Sequence, residues 1–175
     1  MNNYEDIIDF TIYYNKYKTK IYNYTLRMVN DRDTAEDILQ EVFIKFFENF
    51  NLIQNKNSII FWLFKTTQNL VYTYYNYKNK FKSHINLSDN DDEINEIPAD
   101  IDIINGLEEK ELSILINQSI ELLPLEQKEV YLLKEYGNLS YKEIGELLKI
   151  DSELVKSRIF KARQKLIKII SKKIK

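Results

Sequence analysis

The sequence predicts an all-α protein in which a flexible acidic linker joins two small helical domains. The 175 residues include only 3 Gly and 2 Pro, too few for the many turns of a β-sandwich or barrel. Apolar residues recur every three or four positions along most of the chain, as on one face of a helix. Residues 88–105 are acidic and lack this period. We therefore predict domains at 1–84 and 107–175, with a linker at 85–106.

Three helices are predicted in the N-terminal domain, at residues 4–30, 33–50 and 58–81. The second begins with Asp33, Glu36 and Asp37, and carboxylates are favoured there by the helix dipole. Its apolar stripe predicts the buried residues Ala35, Ile38, Leu39, Val42, Phe43, Phe46 and Phe50. Ser58 is expected to cap the third helix, and Tyr72 and Tyr75 are expected to pack in the core.

Four helices are predicted in the C-terminal domain, at 107–122, 125–136, 141–148 and 152–172. Pro124 suits the start of the second of these helices, and Gly137 suits its end. The last two helices form a predicted helix-turn-helix, a motif whose second helix enters the DNA major groove.

The start and the turn of this motif have specific residue signals. Ser140 and Glu143 form a capping-box pattern, and Gly145 stands where a larger side chain would push the second helix away. Asp151 or Ser152 is expected to cap the second helix. Lys149 occupies a turn position that favours Gly because its φ is positive, at a cost of about 1 kcal/mol.

Cations crowd the outward face of the last helix, and this favours DNA binding over an ordinary solvated hairpin. They lie within a strongly segregated charge pattern. Residues 151–175 have a net charge of +7, residues 56–86 have +5, and residues 89–111 have −9. Two basic surfaces on either side of an acidic connector indicate a polyanion contacted at two places.

Composition argues against most other functions. The chain has no Cys and 1 His, so thiolate metal sites, disulfides and most acid–base catalysis are excluded, and we expect neither a metal nor a cofactor. No Gly-rich phosphate loop appears, and a small enzyme using scattered carboxylates has little support. No apolar run is long enough to span a membrane and the first residues are acidic, so we expect a cytoplasmic protein.

Two helices of the N-terminal domain have polar faces beyond what a core requires. In the second helix Asp37, Gln40, Glu41, Ile44 and Glu48 follow one another on one strip, either a solvated face or a docking surface. In the third helix lysines, amides and aromatic rings alternate, which suits unpaired bases as well as structural packing. Trp62 in this helix fits either a packing position or the edge of melted DNA.

Taken together, three ordered motifs make the chain resemble the extracytoplasmic-function sigma factors of bacterial RNA polymerase, a subfamily of the sigma-70 family. Residues 35–43 (AEDILQEVF) resemble region 2.2, which docks on the β′ clamp helices. Residues 61–70 (FWLFKTTQNL) resemble regions 2.3 to 2.4, which melt and hold the −10 element. Residues 123–131 (LPLEQKEVY), with the helix-turn-helix, resemble region 4, which reads the −35 element.

The resemblance implies roles for residues at the matching positions. Those expected to bind polymerase are Asp37, Gln40, Glu41 and Ile44. Those expected near the −10 DNA are Ile59, Lys65, Asn69, Thr73, Asn76, Lys78 and Lys80. Those expected at the −35 DNA are Tyr141, Lys142, Lys156, Ser157, Arg158, Phe160, Lys161 and Arg163.

Some positions depart from the family pattern. Thr73 and Asn76 replace an Asp and an Arg, which leaves the preferred −10 bases open. Lys stands where many relatives have Arg and cannot form a bidentate fork to guanine, so base recognition at −35 is expected to depend on Arg158 and DNA shape.

The resemblance implies a promoter-specificity subunit without an active site, in complex with core RNA polymerase (through the β′ clamp helices and the β flap) and promoter DNA. An anti-sigma factor is a further partner that the family often has. The alternative is a stand-alone helix-turn-helix transcriptional regulator whose N-terminal domain senses a ligand or dimerises.

Overall fold

The computed structural model describes residues 3–84 and 107–173, and every regular element in these ranges is helical, which confirms the all-α prediction. The chain divides into two compact units, Met1–Asn95 and Glu96–Lys175. The predicted linker at 85–106 lies outside the described residues. No helix in the described ranges is both long and apolar enough to cross a membrane.

The first unit contains α1 (Asn3–Val29), α2 (Arg32–Asn49) and α3 (Ile59–His84), with two 3₁₀ turns, Phe50–Leu52 and Lys56–Ser58, between α2 and α3. These bounds lie close to the predicted ones, but the cap of α2 is Asp31, which the sequence analysis did not single out. Its Oδ1 accepts a hydrogen bond from the Thr34 N–H at 2.8 Å. Hydrogen bonds from the Thr34 hydroxyl and then from its N–H lower the pKa of the Asp31 carboxyl, because both favour the charged form.

Aromatic side chains build much of the core of this unit. Phe46 is fully buried and lies beside the rings of Phe10, Tyr13 and Phe50, with centroids 5.3–6.3 Å apart. Such tilted and edge-on pairs add to the free energy gained by burial. The predicted stripe of α2 is buried as expected, apart from the half-buried Leu39.

The two tyrosines of α3 that were expected in the core differ. The Tyr75 hydroxyl donates a hydrogen bond to the carbonyl of Met28 in α1, and its ring is half-buried, which confirms the prediction. Tyr72 is 40% exposed, so the prediction for it was wrong. Val71 lies on the buried face of α3 instead. Tyr72 follows it directly and is therefore rotated about 100° away from that face.

The second unit contains α4 (Leu107–Glu121), α5 (Leu125–Glu135), α6 (Tyr141–Leu148) and α7 (Ser152–Lys173), close to the four predicted ranges. A buried aliphatic core fixes α5, α6 and α7 against one another. It includes Leu132, Leu133, Leu139, Ile144, Leu147, Val155, Ile159 and Leu166. Pro124 directly precedes α5, and Gly137 lies just beyond its end.

The turn between α6 and α7 has the predicted geometry. Ser140 and Glu143 form both hydrogen bonds of a capping box. Lys149 adopts φ 56° and ψ 44°, the left-handed conformation that Gly favours. Asp151 is the residue whose side chain accepts at the start of α7, from the Glu153 N–H at 2.6 Å.

Gly145 is required by the close approach of this turn. A Cβ atom at this position would lie 2.7 Å from the carbonyl oxygen of Ile150, a backbone atom that cannot rotate away. Because Gly145 has no side chain, the chain can turn directly from α6 into α7.

Candidate polymerase and nucleic acid interfaces

One exposed strip runs along α2, and we call it the α2 ridge. It comprises Asp37, Gln40, Glu41, Ile44 and Glu48. At about 100° per residue these side chains share a sector roughly 100° wide. Ile44 is 57% exposed in the middle of the polar residues. Glu41 forms an ion pair with Lys45 at 3.4 Å, with both side chains about half exposed. The predicted docking strip is therefore a continuous exposed surface.

Phe47 borders the α2 ridge and was not predicted to be functional. It is 53% exposed, and its ring lies edge-on to Phe10 with centroids 5.1 Å apart. Together with Ile44 it places an apolar patch beside the carboxylates and the amide. Sequence periodicity gave no clear signal for it, since Phe46 and Phe47 adjoin and only one of them can face the core.

The surface of α3 brings together most of the residues predicted near the −10 DNA. Asn69, Thr73, Asn76 and Lys80 are exposed and Lys65 is half-buried, and all five fall on one face. The Thr73 hydroxyl donates a hydrogen bond to the backbone carbonyl of Asn69 at 2.9 Å, which links two residues of this face.

Two predicted residues do not join this face. Ile59 is fully buried at the start of α3, so its side chain packs in the core and offers no surface to a base. Lys78 lies roughly 140° around the helix from Lys65. Its ammonium group sits 5.7 Å from the centre of the Tyr74 ring and contributes to the lowered pKa of Asp31. Packing of α3 against α1 and α2 separates these two residues from the others.

A groove of about 420 Å³ lies between α2 and the exposed face of α3. Trp62, Asn69 and Thr73 line it from α3, and Lys45 and Glu48 line it from α2. The Trp62 ring is half-buried and lies 5.8 Å from the Phe46 ring, so it both packs and borders the groove. Although α3 has no carboxylate before residue 86, tertiary packing brings Glu48 to its edge.

The outward face of α7 begins with residues that reach solvent directly. Ser157 and Lys161 are exposed, and Phe160 is 64% exposed, an unusual value for an aromatic ring without a partner surface. Lys156 bonds to Glu153 at 2.6 Å, and this hydrogen bond raises the pKa of the Lys156 ammonium group. Lys156 is therefore cationic at neutral pH.

The start of α6 adds a second polar edge. Tyr141 is half-buried, Lys142 is exposed, and the Lys134 ammonium group lies 5.4 Å from the centre of the Tyr141 ring. Lys134 also donates to the Leu139 carbonyl at 3.0 Å. Two cations thus flank the hydroxyl-bearing ring, a suitable arrangement for phosphate contacts.

The two arginines predicted at −35 are already paired with carboxylates of another helix of the unit. Arg158 Nη2 lies 2.5 Å from Glu126 Oε2, and the Arg158 side chain is only 20% exposed. Arg163 Nη2 lies 3.2 Å from Glu135 Oε1. Both carboxylates belong to α5, about 30 residues away in sequence, so no local pattern could have revealed them. Arg158 was expected to recognise guanine, but its guanidinium group is held by Glu126 and would have to leave that carboxylate to form a bidentate contact with a base.

The described residues contain no group of His, Asp or Glu side chains placed to hold a metal ion. What the geometry provides is an acidic ridge bordered by apolar side chains, a polar groove with one indole, and a helix face with exposed cations.

Comparison with known proteins assigns both units. Residues 13–81 match the family described as Sigma-70 region 2, and residues 113–166 match Sigma-70, region 4. The chain is 32% identical over 172 residues to the ECF RNA polymerase sigma factor SigW of Bacillus subtilis, covering 94% of this chain and 87% of that protein. It is 26% identical over 159 residues to the RNA polymerase sigma-H factor of Pseudomonas aeruginosa, covering 89% and 82%.

A solved structure has a similar fold. The sigma factor RpoE of Bartonella quintana, crystallised in complex with the anti-sigma factor NepR, matches with a TM-score of 0.70 at 18% sequence identity. The match covers 93% of this chain and 97% of that one. The α2 ridge and most of α3 lie within the region 2 match, and α5, α6 and the first part of α7 lie within the region 4 match.

Proposed function

The chain belongs to the extracytoplasmic-function subfamily of the sigma-70 factors, and from this premise we propose which of its surfaces carry each step of initiation. As a sigma factor it acts with core RNA polymerase and promoter DNA in promoter recognition and transcription initiation. Sigma factors are generally non-enzymatic, so catalysis belongs to the polymerase, and we propose that the protein works in the cytoplasm without a cofactor.

Polymerase binding is assigned to the α2 ridge. Asp37, Gln40 and Glu41 supply carboxylate and amide groups that would complement a basic partner helix, and the family resemblance identifies this partner as the β′ clamp helices. Ile44 and Phe47 supply exposed apolar area at the centre and edge of the ridge, where a bound partner would exclude water. A polar rim around apolar anchors is the usual composition of a protein interface.

The −10 element is assigned to the exposed face of α3 and its groove. Lys65 and Lys80 neutralise phosphates, while Asn69, Thr73 and Asn76 present hydrogen-bonding groups to unpaired bases. The indole of Trp62 at the groove provides a surface on which a displaced base can stack. Capturing non-template bases in this way offsets the few kcal/mol that unstacking each base costs.

The −35 element is assigned to the start of α6 and the outward face of α7. Tyr141 and Lys142 contact phosphates, while Lys156, Ser157, Phe160 and Lys161 enter or flank the major groove. The exposed Phe160 ring suits apolar contact with a thymine methyl group. Arg158 is held by Glu126 and Arg163 by Glu135, so any contact of these arginines with DNA starts from the paired state.

The functional division follows the sequence prediction. We assign core binding and the −10 element to residues 1–84 and the −35 element to 107–175, with 85–106 as the connecting linker. Covalent connection makes the second DNA contact effectively intramolecular once the first has formed. The family resemblance adds the β flap to the proposed partners. An anti-sigma factor is a further proposed partner, because the structurally similar RpoE was crystallised with one.

The α2 ridge is the observation that carries this proposal, since it offers the polymerase an exposed polar and apolar surface on the unit that lacks the helix-turn-helix. The test is run-off transcription with purified core polymerase on a genomic promoter library. The Gln40→Ala, Glu41→Ala double variant should lose core association and specific initiation. The matched control, Asn15→Ala with Thr19→Ala, changes two exposed polar residues of α1 and should retain both.

The outcome also separates the alternative. A stand-alone regulator would protect promoter DNA from cleavage without polymerase, and the double variant at Gln40 and Glu41 would behave like the unmodified protein. Promoter-specific transcription that persists in that variant would show that the ridge is not the polymerase contact.

A further inference from the structure

Ion pairing within the second unit divides the cations of α7 into two sets. Lys156, Arg158 and Arg163 each have a carboxylate partner, at 2.6, 2.5 and 3.2 Å. Lys161, Lys165, Lys168 and Lys172 are exposed and form no ion pair with the acidic side chains that the structure describes at residues 112–173. We call these four residues the α7 lysine strip.

The α7 lysine strip continues the proposed −35 face. At about 100° per residue its four side chains fall in a sector roughly 60° wide, and Ser157 points about 20° beyond the edge of that sector. All four lysines line one shallow groove of about 660 Å³, together with Phe160. The strip extends about 16 Å along the helix from Lys161 to Lys172.

Only the first part of this surface is covered by the family match. The region 4 match ends at residue 166, whereas α7 continues to Lys173. Lys168 and Lys172 therefore lie beyond it. With 22 residues α7 is about 33 Å long, much longer than the few turns that a recognition helix inserts into the major groove.

We propose that Lys165, Lys168 and Lys172 form a second, sequence-independent DNA contact that neutralises backbone phosphates just outside the −35 element. This inference rests on the proposed function, because α7 has to lie on DNA for the strip to reach phosphates. Lysines are point charges without a bidentate fork, so they add affinity and salt dependence but read no base. No ion pair with an acidic side chain described at residues 112–173 has to break when a phosphate binds to these lysines.

The test measures holoenzyme affinity for two fluorescent duplexes as a function of KCl concentration. One duplex carries a promoter used in run-off transcription, and the other has its −35 element scrambled. For Lys165→Gln, Lys168→Gln, Lys172→Gln the slope of log affinity against log salt should fall in magnitude by about 2.7, about 0.9 for each lost phosphate contact. Affinity at low salt should fall at least about tenfold on both duplexes alike.

Two controls distinguish charge from structure. The triple change of the same lysines to Arg should keep the slope, since the charge remains. A triple Lys→Gln change at Lys16, Lys18 and Lys20 of α1 removes the same charge elsewhere and should also leave the slope unchanged. Thermal unfolding of each variant checks that the units remain folded.

An unchanged slope in the Gln variant, or a loss confined to the promoter duplex, overturns the inference. The former result would fit a strip that binds an acidic protein surface instead of DNA. A different result contradicts the proposed function. In that case the Lys156→Gln, Lys161→Gln double variant prefers the promoter duplex over the scrambled duplex as strongly as the unmodified protein does. The salt dependence therefore tests the further inference, and the preference between the two duplexes tests the proposed function.

Discussion

Arg158 and Glu126 join the recognition helix to α5 through a contact of 2.5 Å between Nη2 and Oε2. The Arg158 side chain is 20% exposed, whereas that of Glu126 is 71% exposed. The arginine stem thus packs on the surface of the unit while its charged end is held at the edge. This pair makes Arg158 part of the structure of the domain as well as a residue on the DNA-binding helix.

Arg158→Ala should therefore lower stability, whereas Glu126→Gln should have a small effect. Truncating the packed stem is expected to cost about 1–2 kcal/mol of unfolding free energy. Loss of the largely exposed carboxylate should cost less than about 1 kcal/mol, because solvent screens the pair. Urea denaturation followed by circular dichroism measures both. Equal stability of Arg158→Ala and the unmodified protein would mean that Arg158 serves DNA alone.

Gly145→Ala should destabilise the second unit and leave the first unchanged. The new Cβ would lie 2.7 Å from the Ile150 carbonyl oxygen, and the clash, about 1–3 kcal/mol, outweighs the roughly 1 kcal/mol that Ala gains in helix propensity. The single Trp, Trp62, reports on the first unit alone. The urea transition should therefore shift in circular dichroism but not in Trp fluorescence. A shift in neither would contradict the close packing of the turn.

Lys149→Gly should stabilise the same turn by about 0.5–1 kcal/mol, since φ is 56° there and Gly adopts that conformation without strain. The gain is reduced because Gly also increases the entropy of the unfolded chain. Lys142→Gly is the matched control, because the same change at an exposed right-handed position of α6 should destabilise. Changes of the same sign in both variants would argue against relief of backbone strain.

Asp31→Asn should reveal a pH-dependent cap at the start of α2. Hydrogen bonds from the Thr34 hydroxyl and N–H hold the pKa of Asp31 below its ordinary value of 3.8. A lowered pKa in the folded state contributes stability above the unfolded value, and this contribution disappears as pH falls through the folded value. The unmodified protein should therefore exceed the variant in stability at pH 7 and lose that advantage below about pH 4. Trp62 fluorescence in urea measures it, and a pH-independent difference would contradict the assignment.

Asn69→Ala and Lys78→Gln should differ in DNA melting, although the sequence suggested a −10 role for both. Asn69 borders the groove with Trp62, whereas Lys78 lies on another face beside Tyr74. With holoenzyme on a promoter, permanganate reactivity of unpaired thymines should fall several-fold for Asn69→Ala and stay unchanged for Lys78→Gln. The reverse result would place the single strand on the opposite side of α3.

The helices, the caps of α6 and α7 and the family could be predicted from the sequence, because they depend on short-range periodicity and local hydrogen bonds. The capping box at Ser140, the glycine at 145 and the left-handed Lys149 are all set by neighbours within six residues. The exposure of the α2 ridge also followed from helical period, since a strip opposite a buried stripe has to face outward.

Only the tertiary structure decided which polar side chains are available. Ile59 is buried, Lys78 is turned away, and Arg158 and Arg163 are held by carboxylates of α5 about 30 residues distant. Contacts between residues far apart in sequence leave no local periodic signal. These contacts form only when α5 packs against α7. Carboxylates of α5 then hold Arg158 and Arg163, whereas the lysines of the α7 lysine strip form no ion pair with the described carboxylates of α5.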